Sequence, residues 1–218
     1  MKEILKLTSS LTLVCALAGA ALAHISYTTA IPREISRIRQ HGEKMALLLP
    51  KETTETYSIA TSTLDDDSTV VFFVAKDAEG KPLAYCAQSS DNSGFGGEMK
   101  LLVALGLDGT IRGILVYEHS ETPGLGGQVV TRTFPRSLWN VLAGRKAVSA
   151  GLPPNHYLDS YDGRRLTRVP FVFGDDDENN PATIKPVSGA TISSGAVLRA
   201  VNRIREAWID LPASVKEN

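Results

Sequence analysis

The sequence predicts an α+β fold, a twisted and mostly antiparallel sheet flanked by helices, with one transmembrane helix at the N-terminus. Three observations predict it. Two pairs of apolar, β-rich runs are each separated by turn residues, an amphipathic helical stripe closes the chain, and an apolar run follows Lys2 and Lys6 near its start. With 218 residues the chain accommodates one well-packed domain and an appendage. The boundaries expected are 1–30 for the membrane segment and 31–218 for the domain.

The N-terminal run extends from Leu11 to Ala23, interrupted only by Thr12. Read alone, it has the length of a secretory signal, and Ala21-Leu22-Ala23 offers a small-residue cleavage site. Extended from Leu7 to Thr29 it is long enough to span a bilayer. Lys2 and Lys6 favour an inside N-terminus, whereas Arg33, Arg37 and Arg39 oppose it. Cys15 follows Leu13-Val14, without the small residue a lipoprotein signal requires, which excludes lipidation. Cleaved or retained, the segment leaves the remainder of the chain outside the cytoplasmic membrane.

Residues 32–49 predict a helix, with Pro32 in its first turn, apolar residues at helical spacing and Pro50 as its stop. Residues 51–67 predict irregular chain with one short strand around 57–61. Runs 69–76 and 82–88 flank the turn composition of Asp77 to Lys81 and predict a hairpin. Runs 99–107 and 110–119 flank Asp108-Gly109, the signature of a two-residue hairpin turn. A short helix is expected at 136–143 and an edge or bulged strand at 166–173, where Pro170 cannot donate to a ladder. The last helix is expected from Ser193 to Asp210. Val197, Val201, Ile204 and Trp208 form its buried stripe, with Arg199, Arg203, Arg205 and Glu206 away from it.

The net charge of −1, with 23 basic and 24 acidic residues dispersed along the chain, argues against a nucleic-acid partner. Two cysteines, one of them in the apolar run, preclude a disulfide within the domain and a sulfur-rich zinc site. The acidic runs 65–67 and 174–181 lack the alternate spacing of a calcium loop and read as solvated turns, so no metal site is expected.

Immediately before the last helix stands Val187-Ser188-Gly189-Ala190-Thr191-Ile192-Ser193-Ser194-Gly195. Its small residues let a bulky group approach the backbone, and its hydroxyls cluster where unpaired N–H groups and the helix dipole favour an anion. The same residues also suit a plain N-cap and tight turn. A second constellation, His119-Ser120-Glu121-Thr122-Pro123-Gly124-Leu125-Gly126-Gly127, follows a strand and leaves backbone amides accessible. A third, Ser93-Gly94-Phe95-Gly96-Gly97, does not lead from a strand into a helix and is not a dinucleotide fingerprint.

The Glu121-to-Gly126 and Ser188-to-Ser193 motifs, in this order behind a membrane segment and Gly-rich strands, resemble the FMN-binding domain family. Within it, the chain resembles the G subunits of Rnf-type complexes. The resemblance implies FMN joined by a phosphoester to Thr191, with a separate flavin transferase making the bond. It implicates Glu121, Thr122, Pro123, Gly124, Leu125 and Gly126 in the flavin site, together with Ser188, Gly189, Ala190, Ile192 and Ser193. It further implies a redox subunit that relays electrons within a membrane complex coupling ferredoxin and NAD oxidoreduction to ion translocation. The flavin domain would lie on the extracytoplasmic side of the inner membrane, with the other subunits as partners. No catalytic acid or base is expected, and His119, His156 and Glu121 are given none of these roles. Two alternatives share the motif: the C subunit of a sodium-translocating NADH:quinone reductase, and an extracytoplasmic flavin-containing regulatory domain. One position departs from the family, because Lys185 stands where the transferase recognition pattern usually has Asp.

Overall fold

The computed structural model describes residues 1–133, 152–175 and 180–212. The chain divides into two units, Met1–Glu43 and Lys44–Asn218.

From Lys2 onward the first unit belongs to α1, which runs from Lys2 to Leu48. Its segment Lys2–Thr28 is 27 residues long and apolar enough to cross a membrane. At ~1.5 Å per residue it reaches about 40 Å, against a hydrocarbon core of about 30 Å. Leu7, Leu11, Val14, Leu17 and Leu22 are all exposed, so no face of this segment is buried in the chain. The hydroxyls of Thr8 and Thr12 donate to carbonyls one turn back at 2.9 Å, satisfying polar atoms that lipid cannot. Pro32 does not begin a separate helix, because helical structure continues through it. A proline removes one backbone donor at that point, and a helix of 47 residues retains its many other bonds.

The second unit is built on a five-stranded antiparallel meander in the order β1-β2-β3-β4-β5. The strands are β1 Glu55–Thr63, β2 Thr69–Lys76, β3 Pro82–Gly94, β4 Gly97–Leu105 and β5 Ile111–His119. β2 has its expected limits, and Asp77 closes the following turn by accepting from the Glu79 and Lys81 amides. β1 is nine residues long, more than the short strand expected, because it lies at the sheet edge with a polar, exposed outer surface. β3 runs six residues past its apolar part. Ser89, Ser90 and Asp91 pair with Leu101, Lys100 and Met99, and the hairpin turns at Phe95-Gly96 between paired Gly94 and Gly97.

The β4–β5 turn is wider than a two-residue one. Gly106 N–H donates to the Thr110 carbonyl at 2.7 Å and Gly109 N–H to the Gly106 carbonyl at 3.0 Å. Only Gly109 takes a positive φ, of 79°, the geometry of a type I turn closed by a left-handed residue. Side-chain space also requires glycine there, since a Cβ would lie 2.6 Å from Trp208 Nε1.

Among the described residues, two short helices follow the sheet, α2 Gly127–Val130 and α3 His156–Asp159. Asn155 joins them. Its amide donates to the carbonyls of Gln128, Val129 and Thr131, while its oxygen caps Tyr157 and Leu158. The expected strand at 166–173 reduces to β6 Val172–Phe173, paired in parallel with β7 Thr183–Ile184. Beside Pro170, the Phe171 backbone is satisfied by the Asn202 side chain, at 2.9 Å to both N–H and C=O, and no further ladder is required. The expected helix at 136–143 lies outside the described residues.

The last helix, α4, spans Thr191–Asp210. Its stripe Val197, Val201, Ile204 and Trp208 is buried against the sheet, with the Trp208 ring 5.4 Å from Tyr85 and 6.0 Å from Phe72. Arg199 and Arg203 are off this stripe, yet both bond to the buried Asp91 carboxylate on β3, at 3.3 Å and 2.7 Å. On the opposite face, Met45 and Leu49 pack with Ala75, Ala84, Cys86 and Leu102. Burial pushes the Cys86 thiol up to about 12, which leaves it a packing residue.

Candidate functional site

The site forms where three segments distant in sequence converge at the N-terminus of α4. The first is the β3–β4 hairpin tip. A Cβ at Gly96 would overlap the Ser120 carbonyl, so this tip can lie against the second segment, Ser120–Glu121, only as glycine. The third is the turn into α4, where Gly189 has a φ of 77° and Ala190 N–H donates to the Val187 carbonyl at 3.0 Å.

Glu121 ties the three together. The residue is 6% exposed, and its carboxylate accepts the Gly96 N–H at 3.1 Å and the Ser193 hydroxyl at 2.8 Å and packs on Gly126. A Cβ at Gly126 would overlap both that carboxylate and the Ser193 hydroxyl. The Thr122 carbonyl accepts from Leu125 and Gly127, closing the loop, and Gly124 turns it with a φ of 82°.

The start of α4 is not side-chain capped. Its N-cap is Ala190, which makes no side-chain cap bond, so the plain Ser/Thr N-cap is not what the hydroxyls provide. Their roles differ. Ser193 is spent on Glu121, and the buried Ser194 hydroxyl accepts from Val187 N–H at 3.1 Å. The Ser194 carbonyl in turn accepts from the buried Tyr157 phenol at 2.7 Å, whose pKa burial pushes up to about 12, keeping it a donor. Ser188 and Thr191 are exposed, and neither hydroxyl makes a hydrogen bond among the described residues.

Leu125, Gly126, Gly189, Ala190, Thr191, Ile192 and Ser193 are brought together around one cavity of ≈ 310 Å³. Glu121 stands behind its wall, and Ser188 and Thr122 are exposed outside its lining. Pro123 and Gly124 face a second cavity of ≈ 510 Å³, lined also by His119, Glu121 and His156. Phe95, absent from the residues expected at the site, lines the first cavity with 59% exposure. The signal was the Gly-Phe-Gly-Gly tip, an exposed aromatic held by glycines, which reads as a turn until β3 and β4 carry it to α4. Lys185 is exposed and pairs with Asp175 at 3.3 Å.

An anion held here would meet backbone N–H groups that no side chain caps, at the positive end of a 20-residue helix. A planar apolar group beside it would meet Phe95, Leu125 and Ile192, and the glycines and alanine leave it room. The donor set and the space fit a phosphorylated aromatic cofactor.

Comparison with known proteins gives the same direction. Over 219 residues the chain is 24% identical to the G subunit of the Na(+)-translocating ferredoxin:NAD(+) oxidoreductase complex of Acetobacterium woodii, covering 96% of this chain and 94% of that one. It is 27% identical to the G subunit of an ion-translocating oxidoreductase complex of Methanosarcina acetivorans, over 92% of both chains. With the corresponding G subunit of Escherichia coli it shares 32% identity over 66% of this chain and 59% of the relative. The crystal structure of NqrC from Shewanella oneidensis superposes with a TM-score of 0.44 at 24% identity, covering 73% of this chain and 66% of that one. The FMN-binding domain model matches residues 94–206, more than half of the sequence and all three converging segments, and the chain belongs to the FMN-binding domain family.

Proposed function

We propose that this chain is the G-type subunit of an Rnf-type, ion-translocating electron-transport complex and carries FMN covalently, its phosphate esterified to Thr191. The observation that carries the attachment is the division of labour among the hydroxyls. Ser193 and Ser194 are buried and engaged, whereas Thr191 is exposed, unbonded and in the cavity wall. The uncapped N–H groups of the first turn then stabilise the ester phosphate. The similarity to the G subunits of such complexes along nearly the full length supports the place in a complex.

When bound, the isoalloxazine supplies one- and two-electron chemistry, and the protein contributes position and electrostatics. Thr191 is an anchor and takes no part in turnover. Glu121 and Gly126 hold the loop against α4, and Phe95, Leu125 and Ile192 provide the apolar wall. Relay of electrons requires no acid or base from the chain, which passes them between neighbouring subunits and does not turn over a substrate alone.

The apolar Lys2–Thr28 segment supports a single-pass anchor, residues 1–30, with the domain 31–218 on the extracytoplasmic side. There a dissociable flavin would be lost by dilution, and an ester retains it. A flavin transferase makes the bond during maturation. Mass spectrometry after coexpression with such a transferase should find FMN on the peptide containing Thr191 and none on Thr191→Ala. A bare peptide from a host that flavinylates other proteins rejects the proposal.

A further inference from the structure

We infer that the Glu121 carboxylate lowers the reduction potential of the flavin at this site, acting through its charge. The inference rests on the flavin reading given above.

Glu121 is buried, and no lysine or arginine pairs with it among the described residues. Asp91, the other buried carboxylate among the described residues, shows the contrast, with two arginines bonded to it. The Glu121 oxygens receive one neutral donor each, the Gly96 N–H and the Ser193 O–H. Such bonds stabilise a carboxylate without cancelling its charge. The adjacent His119 ring accepts the Glu121 backbone N–H through Nδ1 at 3.2 Å, a bond to the main chain and not to the carboxylate. A helix dipole amounts to about half an elementary charge, so the positive end of α4 beside Ser193 offsets only part of the carboxylate's charge.

The carboxylate also occupies a commanding position. It bonds Ser193 and packs on Gly126, both of which line the first cavity, and its own residue lines the second. Whichever cavity receives the isoalloxazine, one fixed negative charge stands in or directly behind the wall. An electron delivered there by a reductant adds a negative charge unless a proton follows from solvent, and no protein bond forms or breaks. In a partly desolvated site, repulsion from Glu121 opposes that addition. A merely structural role would require only the two contacts, which an amide keeps by accepting the Gly96 N–H and donating to the Ser193 hydroxyl oxygen with that bond reversed.

The test is a dye-poised redox titration of the full-length flavinylated chain, followed by flavin absorbance, with Thr191-peptide masses taken from the same preparations. Glu121→Gln should raise the potential, equivalent to about a tenfold larger ratio of reduced to oxidised flavin at a fixed poise. Ser193→Ala removes a donor that moderates the charge and should shift the potential downward. Opposite shifts support the inference. Flavinylated Glu121→Gln at the wild-type potential overturns it. If Glu121→Gln does not load flavin, Ser193→Ala decides alone, and an unchanged or raised potential overturns the inference. A bare Thr191 peptide in the wild type removes the flavin reading and this inference with it, whereas loaded proteins with unchanged potentials remove this inference alone.

Discussion

The two ends of α4 are built for different purposes. At its C-terminal half, Val201, Ile204 and Trp208 are buried, and the indole rests on Tyr85 and Phe72. At its first turn, Thr191 and Ile192 are exposed, no side chain caps the helix, and a cavity opens beside it. One helix therefore anchors itself to the sheet through one end and keeps the other free for a ligand. Stability and binding should separate along its length, and substitutions at successive positions can break or sharpen that division.

The largest loss of stability is expected at Trp208→Ala. Removing the indole from Phe72, Tyr85 and Gly109 leaves a cavity between helix and sheet. The cost should be about 3–5 kcal/mol, read as a lower urea midpoint. Any flavin loss should track the unfolded fraction, because the indole is not among the residues lining the cavity at the first turn.

Asp91→Asn comes next. The carboxylate is buried against Arg199 and Arg203, while the Arg199 side chain is 47% exposed. Solvent screening reduces the cost below that of a fully buried pair, to about 2–3 kcal/mol. The same network predicts acid sensitivity. Burial acts to raise the Asp91 pKa, but bonds from Ser93 and Arg199 outweigh it and hold the group low. Asp66, bonded first by Ser68 and then by Arg203, is lowered to about 2. Carboxylates with depressed folded pKa values stabilise the fold above their unfolded value, near 3.8, and that contribution disappears as protons bind. Thermal midpoints should therefore fall between about pH 4 and pH 2, and Asp91→Asn should flatten that fall.

The same residues show how much was legible from sequence. The α4 stripe and the β2 limits follow from periodicity, since buried apolar residues recur at 3.6 or at 2. The extension of β3 does not, because Ser89, Ser90 and Asp91 interrupt the apolar alternation. Asp91 is accommodated there by Ser93 two residues on and by arginines more than a hundred residues later. At the site, the motif around Thr191 was visible as a cluster of hydroxyls. Which hydroxyl stays free depends on backbone turns that aim Ser193 at Glu121 and Ser194 at Val187. Phe95 was hidden for a similar reason, as its ring reaches the cavity through strand pairing and not through any local pattern.

A smaller effect on stability, with a larger one on the site, is expected for Gly126→Ala. The new methyl must displace the Glu121 carboxylate or the Ser193 hydroxyl. Overpacking of this kind costs about 1–3 kcal/mol. Because the displaced groups hold the loop to the first turn, flavin incorporation should fall more than the folded fraction does. Absorbance at the flavin band, normalised to protein, against circular dichroism of the same sample measures the two. Equal losses would mean that the loop and the fold are not separable.

Thr191→Ala should move stability least. Its side chain is exposed, bonds to nothing among the described residues and is not the N-cap, so its removal should change unfolding by no more than about 0.5 kcal/mol. Alanine at a helix position is, if anything, slightly favourable relative to threonine. Yet the same substitution should leave the chain without covalent FMN, the opposite pattern to Trp208→Ala. Urea unfolding of flavin-free wild type and variant, made without the transferase, compares them on equal terms. A variant destabilised by several kcal/mol in that comparison would show that Thr191 supports the helix start after all, and the separation between the two ends of α4 would fail.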